Sequence, residues 1–138
     1  MHLAIDGLGC DYQQLSDPEY VRRFLDTYPD AIRMTKITAP AVHIYHGPNP
    51  DDWGVSGFVI IAESHISVHT FPERGLINVD VFSCKDFDTE MALKEIRQVF
   101  TMTDARSWAL ERGLEHLDFA TAHQTVERER QALQQRRG

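Results

Sequence analysis

Between residues 41 and 84 the chain is a succession of strand-like runs whose connections are too short to hold a helix. Parallel strands need a crossover of a dozen or more residues, whereas antiparallel strands can be joined by a tight turn. The spacing therefore predicts an antiparallel sheet. Ala41 to His46 reads as a strand and stops at the loop Gly47-Pro48-Asn49-Pro50-Asp51-Asp52, where two prolines block further pairing. Gly57 to Glu63 is a nearly continuous apolar run, as in a buried strand. His65 to Thr70 alternates instead, with His65, Ser67 and His69 on one face and Ile66, Val68 and Thr70 on the other. After the turn Pro72-Glu73-Arg74-Gly75, Leu76 to Cys84 is a further strand with Asp80, Phe82 and Cys84 on one face.

The remaining elements flank this sheet. Residues 2–8 read as a strand, and residues 106–112 as another, with a helix as the alternative for the latter. Ser16-Asp17-Pro18-Glu19 combines a capping oxygen with a proline at the first helical position. Val21, Phe24, Leu25 and Tyr28 follow at the spacing of one buried helix stripe, so this helix is expected to end before Pro29. A second helix, capped by Asp86 or Asp88, carries Ala92, Ile96, Val99 and Phe100 on one stripe. The tail, about 114–138, has helix-forming composition with a thin stripe of Ala122, Val126 and Leu133.

The predicted fold class is α+β: an antiparallel β-sheet with helices packed on one face. At 138 residues it makes a single domain. A sheet covered by helices on one side leaves its other face to be buried by a partner, so a homodimer meeting through that face is expected.

Charge and cysteine content exclude several functions. The 14 Lys+Arg against 21 Asp+Glu give a net charge of −7, which opposes binding to phosphate backbones. No nucleic-acid partner is expected. Arg128, Arg130, Arg136 and Arg137 are interleaved with Glu127 and Glu129, the pattern of a solvated helix face. Cys10 and Cys84 are too few for a disulfide framework and read as thiols in a reducing compartment. The N-terminal residues do not form a secretory signal, and no apolar run approaches the roughly 20 residues of a membrane helix. No membrane partner and a cytoplasmic location are the expectations.

The chemistry is concentrated in Glu63-Ser64-His65-Ile66-Ser67-Val68-His69-Thr70-Phe71-Pro72-Glu73, with Asp80 and Cys84 downstream. A hydroxyl, imidazoles, carboxylates and a thiol crowd about twenty residues of predicted sheet. The plain alternative is a set of strand polar groups satisfied by their neighbours. Neither a Cys-x-x-Cys nor a helical His-x-x-x-His spacing is present, so no metal is expected. A serine hydrolase lacks support without a Gly-x-Ser-x-Gly elbow.

The stretch Ala62 to Glu73, AESHISVHTFPE, resembles the prokaryotic S-adenosylmethionine decarboxylase family, whose signature runs Ala-Glu-Ser-His, hydrophobic, Ser/Thr, hydrophobic, His-Thr-Trp-Pro-Glu. His2-Leu3 with Gly9-Cys10-Asp11, the segment Gly54-Val55-Ser56-Gly57, and Val79-Asp80-Val81-Phe82-Ser83-Cys84 extend the likeness over roughly residues 1–113. The resemblance implies a self-processing, pyruvoyl-dependent decarboxylase of polyamine biosynthesis that acts on a small-molecule substrate. By that resemblance Ser64 Oγ attacks the carbonyl of Glu63, its cleavage-site partner, and the resulting ester eliminates. The cofactor is then a covalently bound pyruvoyl group derived from Ser64, whose carbonyl forms a Schiff base with the substrate amine. The same resemblance gives His69 and Ser56 to processing and makes Cys84 the proton donor to the substrate carbon.

Substrate choice rests on departures from the family pattern. Phe71 replaces the usual Trp, and Gly7, beside Asp6, stands where a large residue is common. S-adenosylmethionine needs stacking surface for its adenine and is the expected substrate, with Phe71 and Glu73 as candidate contacts. Arginine or ornithine needs a carboxylate for its distal cation, for which Asp6, Asp51 and Asp52 are candidates. A processing-dead homologue that binds and regulates an active paralogue is the non-enzymatic alternative.

Overall fold

The computed structural model describes residues 1–112 and, within the tail, positions 124, 127, 128, 131 and 132. Six strands form one sheet: β1 (His2–Leu8), β2 (Ala41–His46), β3 (Trp53–Ile61), β4 (Ser64–Phe71), β5 (Leu76–Ser83) and β6 (Asp104–Leu110). Their order is β2-β3-β4-β5-β1-β6, and every neighbouring pair is antiparallel. The helices are α1 (Tyr12–Leu15), α2 (Pro18–Ala31) and α3 (Thr89–Val99).

Alternation decides which face each strand buries. Leu3 and Ile5 on β1, Val55, Val59 and Ile61 on β3, Ile66 and Val68 on β4, and Ile77, Val79 and Val81 on β5 are almost wholly buried. Against them pack Val21, Phe24 and Leu25 of α2 and Ala92 and Ile96 of α3, with Phe100 just past α3. The one buried hydroxyl of β4 fits this apolar layer because it is satisfied twice. Thr70 Oγ1 accepts from the Val55 N–H (2.9 Å) and donates to the Leu15 carbonyl (2.8 Å).

Helices α1 to α3 leave the opposite face uncovered among the described residues. Following the register, it shows Ile60, His65, Phe82, His2 and Leu110 in one row across the sheet. A second row is Phe58, Ser67, Asp80, Ala4 and Trp108, and a third is His43, Ser56, His69, Asn78, Asp6 and Arg106. Phe58 and Ile60 on β3 and Trp108 and Leu110 on β6 remain 41–48% exposed there, two apolar pairs separated by β4, β5 and β1.

Several element boundaries differ from the sequence expectation. Helix α2 continues through Pro29 to Ala31. Proline's fixed φ suits a helix, and a single missing N–H in the last turn is tolerated where Tyr28 and Pro29 are both buried. Asp11 caps the unexpected α1 by accepting from the Gln14 N–H, and Asp88 rather than Asp86 caps α3. Strand β3 begins at Trp53, four residues before the expected Gly57, and ends at Ile61, so Glu63 lies outside it. Gly54 belongs to this strand because the Thr70 carbonyl oxygen lies only 1.8 Å from where a Cβ would sit. Residues 104–110 form the last strand, which settles the strand-or-helix question there. Of the expected C-terminal helix, Gln124, Glu127, Arg128, Gln131 and Ala132 are helical and exposed; the rest of that expectation lies outside the described residues.

Candidate active site

Strand β3 ends at Ile61, its pairing partner Ser64 opens β4, and Ala62-Glu63 is therefore a two-residue hairpin loop. Such loops relax by placing positive φ inside the loop, in type I′ or II′ turns. Neither Ala62 nor Glu63 does so; the positive value falls on Ser64, at +153°. That region belongs almost exclusively to glycine and costs on the order of 1–3 kcal/mol for other residues. Strain is thus concentrated on the residue that follows the expected scissile bond.

Three main-chain donors hold this turn. The Ala62 N–H donates to the Thr35 carbonyl (2.8 Å), and the Thr35 N–H donates to both Glu63 carboxylate oxygens (3.1 and 3.3 Å). The Cys84 N–H donates to the Glu63 carbonyl oxygen at 2.8 Å. Attack on that carbonyl by a hydroxyl would place negative charge on the oxygen, and a fixed donor at this distance stabilises it. Cys84 itself is half-buried, one residue beyond β5. Its position is locked by buried Ser83, whose Oγ accepts from the Lys85 N–H (2.9 Å) and donates to the Lys85 carbonyl (2.7 Å).

The other predicted residues gather further along the sheet. Ser56 and His69 face each other across β3 and β4, with Ser56 Oγ 2.8 Å from His69 Nδ1. Next in the same row, Asn78 Nδ2 donates to Asp6 Oδ1 at 2.7 Å. Phe71, Asp6, Asn78, Arg74 and Arg106 border a depression of about 150 Å³. Glu73 accepts from Tyr12 OH and from Trp53 Nε1, both at 3.2 Å, and the Trp53 indole stacks on His46. Asp51 is exposed and Asp52 half-buried in the loop preceding β3.

One chain does not bring these two groups together. His69 lies five positions after Ser64 on an extended strand, about 16 Å along it. Phe71 and Glu73 lie farther still, and Asp52 sits past the opposite end of β3, about 26 Å along the sheet from the hairpin loop. Each chain therefore carries Glu63, Ser64 and Cys84 at one end of its sheet and Ser56, His69, Asp6, Phe71, Glu73 and Asp52 towards the other.

The reading of Gly7 needs correction. Position 7 faces the helices, and a Cβ there would lie 2.6 Å from both Ile77 Cγ2 and Met102 Sδ. No large residue fits, and its absence opens no room on the open face, so Gly7 carries no argument for a basic amino-acid substrate. Cys10 is equally remote from the chemistry. Its N–H donates to the Gly75 carbonyl, and burial pushes its thiol pKa up to about 11, which keeps it protonated.

Two features escaped the sequence. Thr35 acts through its main chain, which leaves no side-chain signature. On the open face, His2 Nε2 donates to Asp80 Oδ1 (2.7 Å) while Arg112 donates to His2 Nδ1 (3.0 Å) and lies 4.2 Å over the Phe82 ring. Among the described residues no group of three or more His, Cys, Asp or Glu side chains is placed to hold a metal ion.

The chain is similar to known proteins over most of its length. Residues 1–113 match the family model described as S-adenosylmethionine decarboxylase. A protein named S-adenosylmethionine decarboxylase proenzyme from Clostridium botulinum (strain Langeland) is 40% identical over 98 residues, covering 70% of this chain and 79% of that relative. Its namesake in Pyrococcus furiosus is 34% identical over 123 residues, covering 88% and 84%. The crystal structure of the adenosylmethionine decarboxylase from Aquifex aeolicus superposes with a TM-score of 0.65 at 32% identity, covering 81% of this chain and 88% of that one. A family model spanning most of the chain, relatives above 30% identity and a shared fold place this chain in the S-adenosylmethionine decarboxylase family.

Proposed function

We propose that the protein cleaves itself between Glu63 and Ser64 and then, as a homodimer, decarboxylates S-adenosylmethionine using the pyruvoyl group left on residue 64. The observation that carries this reading is the hairpin loop itself, with φ of +153° on Ser64 and the Cys84 N–H on the Glu63 carbonyl. A pyruvoyl residue fits that position. It has no nitrogen and hence no φ, so forming it removes the strained dihedral outright.

Maturation draws on both ends of the sheet. The Ser64 hydroxyl adds to the Glu63 carbonyl carbon, the carbon–nitrogen bond breaks, and the nitrogen takes up the proton that the hydroxyl loses. A base then removes the Ser64 α-proton, Glu63 departs as a carboxylate, and water releases ammonia from the residue left behind. Ser56 Oγ, 2.8 Å from His69 Nδ1, orients the imidazole, and His69 serves as that base. Since His69 of the same chain is about 16 Å away, the imidazole comes from a second copy.

A two-fold axis running between two stacked sheets, across β4 near Ile66 and Ser67, exchanges position 64 with position 69. Such a dimer buries the exposed apolar pairs Phe58 and Ile60 on β3 and Trp108 and Leu110 on β6. It also carries Phe71 and Glu73 of one copy towards the Ser64 end of the other, where they act as substrate contacts. Once formed, the pyruvoyl group supplies an electron-withdrawing carbonyl for loss of the substrate carboxylate. The Cys84 thiol, adjacent to the residue paired with Ser64, returns a proton to the substrate carbon.

Sheet order has a consequence for the mature protein. Cleavage assigns β1, β2 and β3 to fragment 1–63 and β4, β5 and β6 to fragment 64–138. Because β1 is paired on both sides, with β5 and β6, the fragments are interleaved. They are expected to co-purify as one species in native mass spectrometry and to part only in denaturant; separation in native buffer would contradict this arrangement.

Release of labelled carbon dioxide from S-adenosylmethionine, arginine and ornithine tests the substrate. Turnover of S-adenosylmethionine is expected, with none of the other two above background. Processed protein that prefers ornithine or arginine would overturn the assignment.

A further inference from the structure

We infer that the Glu63 side chain is a positioning group for self-cleavage: anchored on the Thr35 N–H, it holds the Ala62-Glu63 loop in the shape that strains Ser64 and seats the Glu63 carbonyl on the Cys84 N–H. This inference rests on the cleavage reading above and assigns a task to the carboxylate as distinct from the carbonyl of the same residue.

The anchor is a strap fixed from several sides. Arg33 takes a left-handed conformation (φ +58°), and its carbonyl accepts from Lys85 Nζ at 3.0 Å. Met34 is buried, with its Sδ 3.6 Å from Ser83 Oγ. Lys36 is ion-paired with Asp26 and forms an isolated bridge with Ile61, and the Ile37 N–H donates to the Ile60 carbonyl (2.9 Å). Residues 33–37 thus join the hairpin to the end of α2 and to the turn carrying Cys84. The Thr35 N–H and carbonyl engage Glu63 and Ala62 reciprocally, and the negative charge on Glu63 strengthens its half of the clamp.

Without the carboxylate, the loop is free to adopt a primed turn with positive φ at Ala62 or Glu63. Ser64 then relaxes and the carbonyl leaves its donor. The step that suffers is the first one, in which the bond from Ser64 Oγ to the Glu63 carbonyl carbon forms and the carbon–nitrogen bond breaks. The later α-proton removal belongs to His69 and is untouched.

The test follows freshly synthesised full-length chain by intact mass, with and without hydroxylamine, which splits an ester but not the peptide bond. Glu63→Ala is expected to cleave about tenfold or more slowly, the scale of one charge-assisted hydrogen bond, and to accumulate no hydroxylamine-sensitive ester. Glu63→Gln keeps an acceptor oxygen and is expected to restore most of the rate. Thr35→Pro removes the donor, so it should slow a chain with intact Glu63 and add nothing to Glu63→Ala. Cleavage of Glu63→Ala at the wild-type rate, accumulation of ester in it, a Glu63→Gln as slow as Glu63→Ala, or additive losses with Thr35→Pro would each overturn the positioning role. Those outcomes leave wild-type cleavage standing; a wild-type chain that never cleaves overturns the functional reading as well.

Discussion

Two variants that are each inert, Ser64→Ala and His69→Ala, are expected to restore cleavage when they are produced in the same cell. The expectation follows from the separation of about 16 Å between positions 64 and 69 along β4. In the mixed dimer, one site joins the intact Ser64 of the His69→Ala chain to the intact His69 of the Ser64→Ala chain. The other site has neither group. Only the His69→Ala chain should therefore appear as fragments, while the Ser64→Ala chain stays whole. General bases contribute roughly 10²–10⁴ to proton-transfer steps, so each homodimer should be almost silent and the recovery large. Tagging the two variants differently identifies the cleaved chain by mass. Mixed dimers in which both chains remain intact would contradict a site shared between copies. His69→Ala chain that cleaves alone at the wild-type rate would remove the imidazole from the reaction.

How far the sequence reveals such a site depends on which property each residue contributes. The alternation from His65 to Thr70 survives in the structure because one face of β4 is packed on helices, where a slip of one residue would bury the histidines. The strand at 2–8 is equally legible, but its place between β5 and β6 is not, since that pairing joins segments about 70 to 110 residues apart. In the structure Gly7 shares a face with Leu3 and Ile5. Only the packing against Ile77 and Met102 settles that this face is the core.

Pro29 and Gly54 misled in the same way. Each discourages the element it occupies, and each is tolerated because of a tertiary neighbour that local propensity does not see. At the site, side-chain chemistry was readable and backbone chemistry was not. Ser64, His69 and Cys84 are candidates that the family resemblance singles out by their side chains. The Thr35 N–H and the Cys84 N–H are supplied by almost any residue at those positions, and the +153° dihedral falls on a serine whose type gives no sign of it.

Replacing Ser64 by alanine is the second change with an expected all-or-none effect. The variant keeps the fold and the clamp on Glu63 but has no hydroxyl to move the acyl group and no side-chain oxygen to eliminate, so neither cleavage nor decarboxylation is expected at any detectable rate. Intact-mass measurement of wild-type protein beside Ser64→Ala tests the account most directly. Two wild-type species corresponding to residues 1–63 and 64–138 are expected, the second blocked to N-terminal sequencing because it begins with a ketone in place of an amine, and one full-length species for the variant. A wild-type chain that stays whole, or Ser64→Ala protein cut at the same bond, would contradict it.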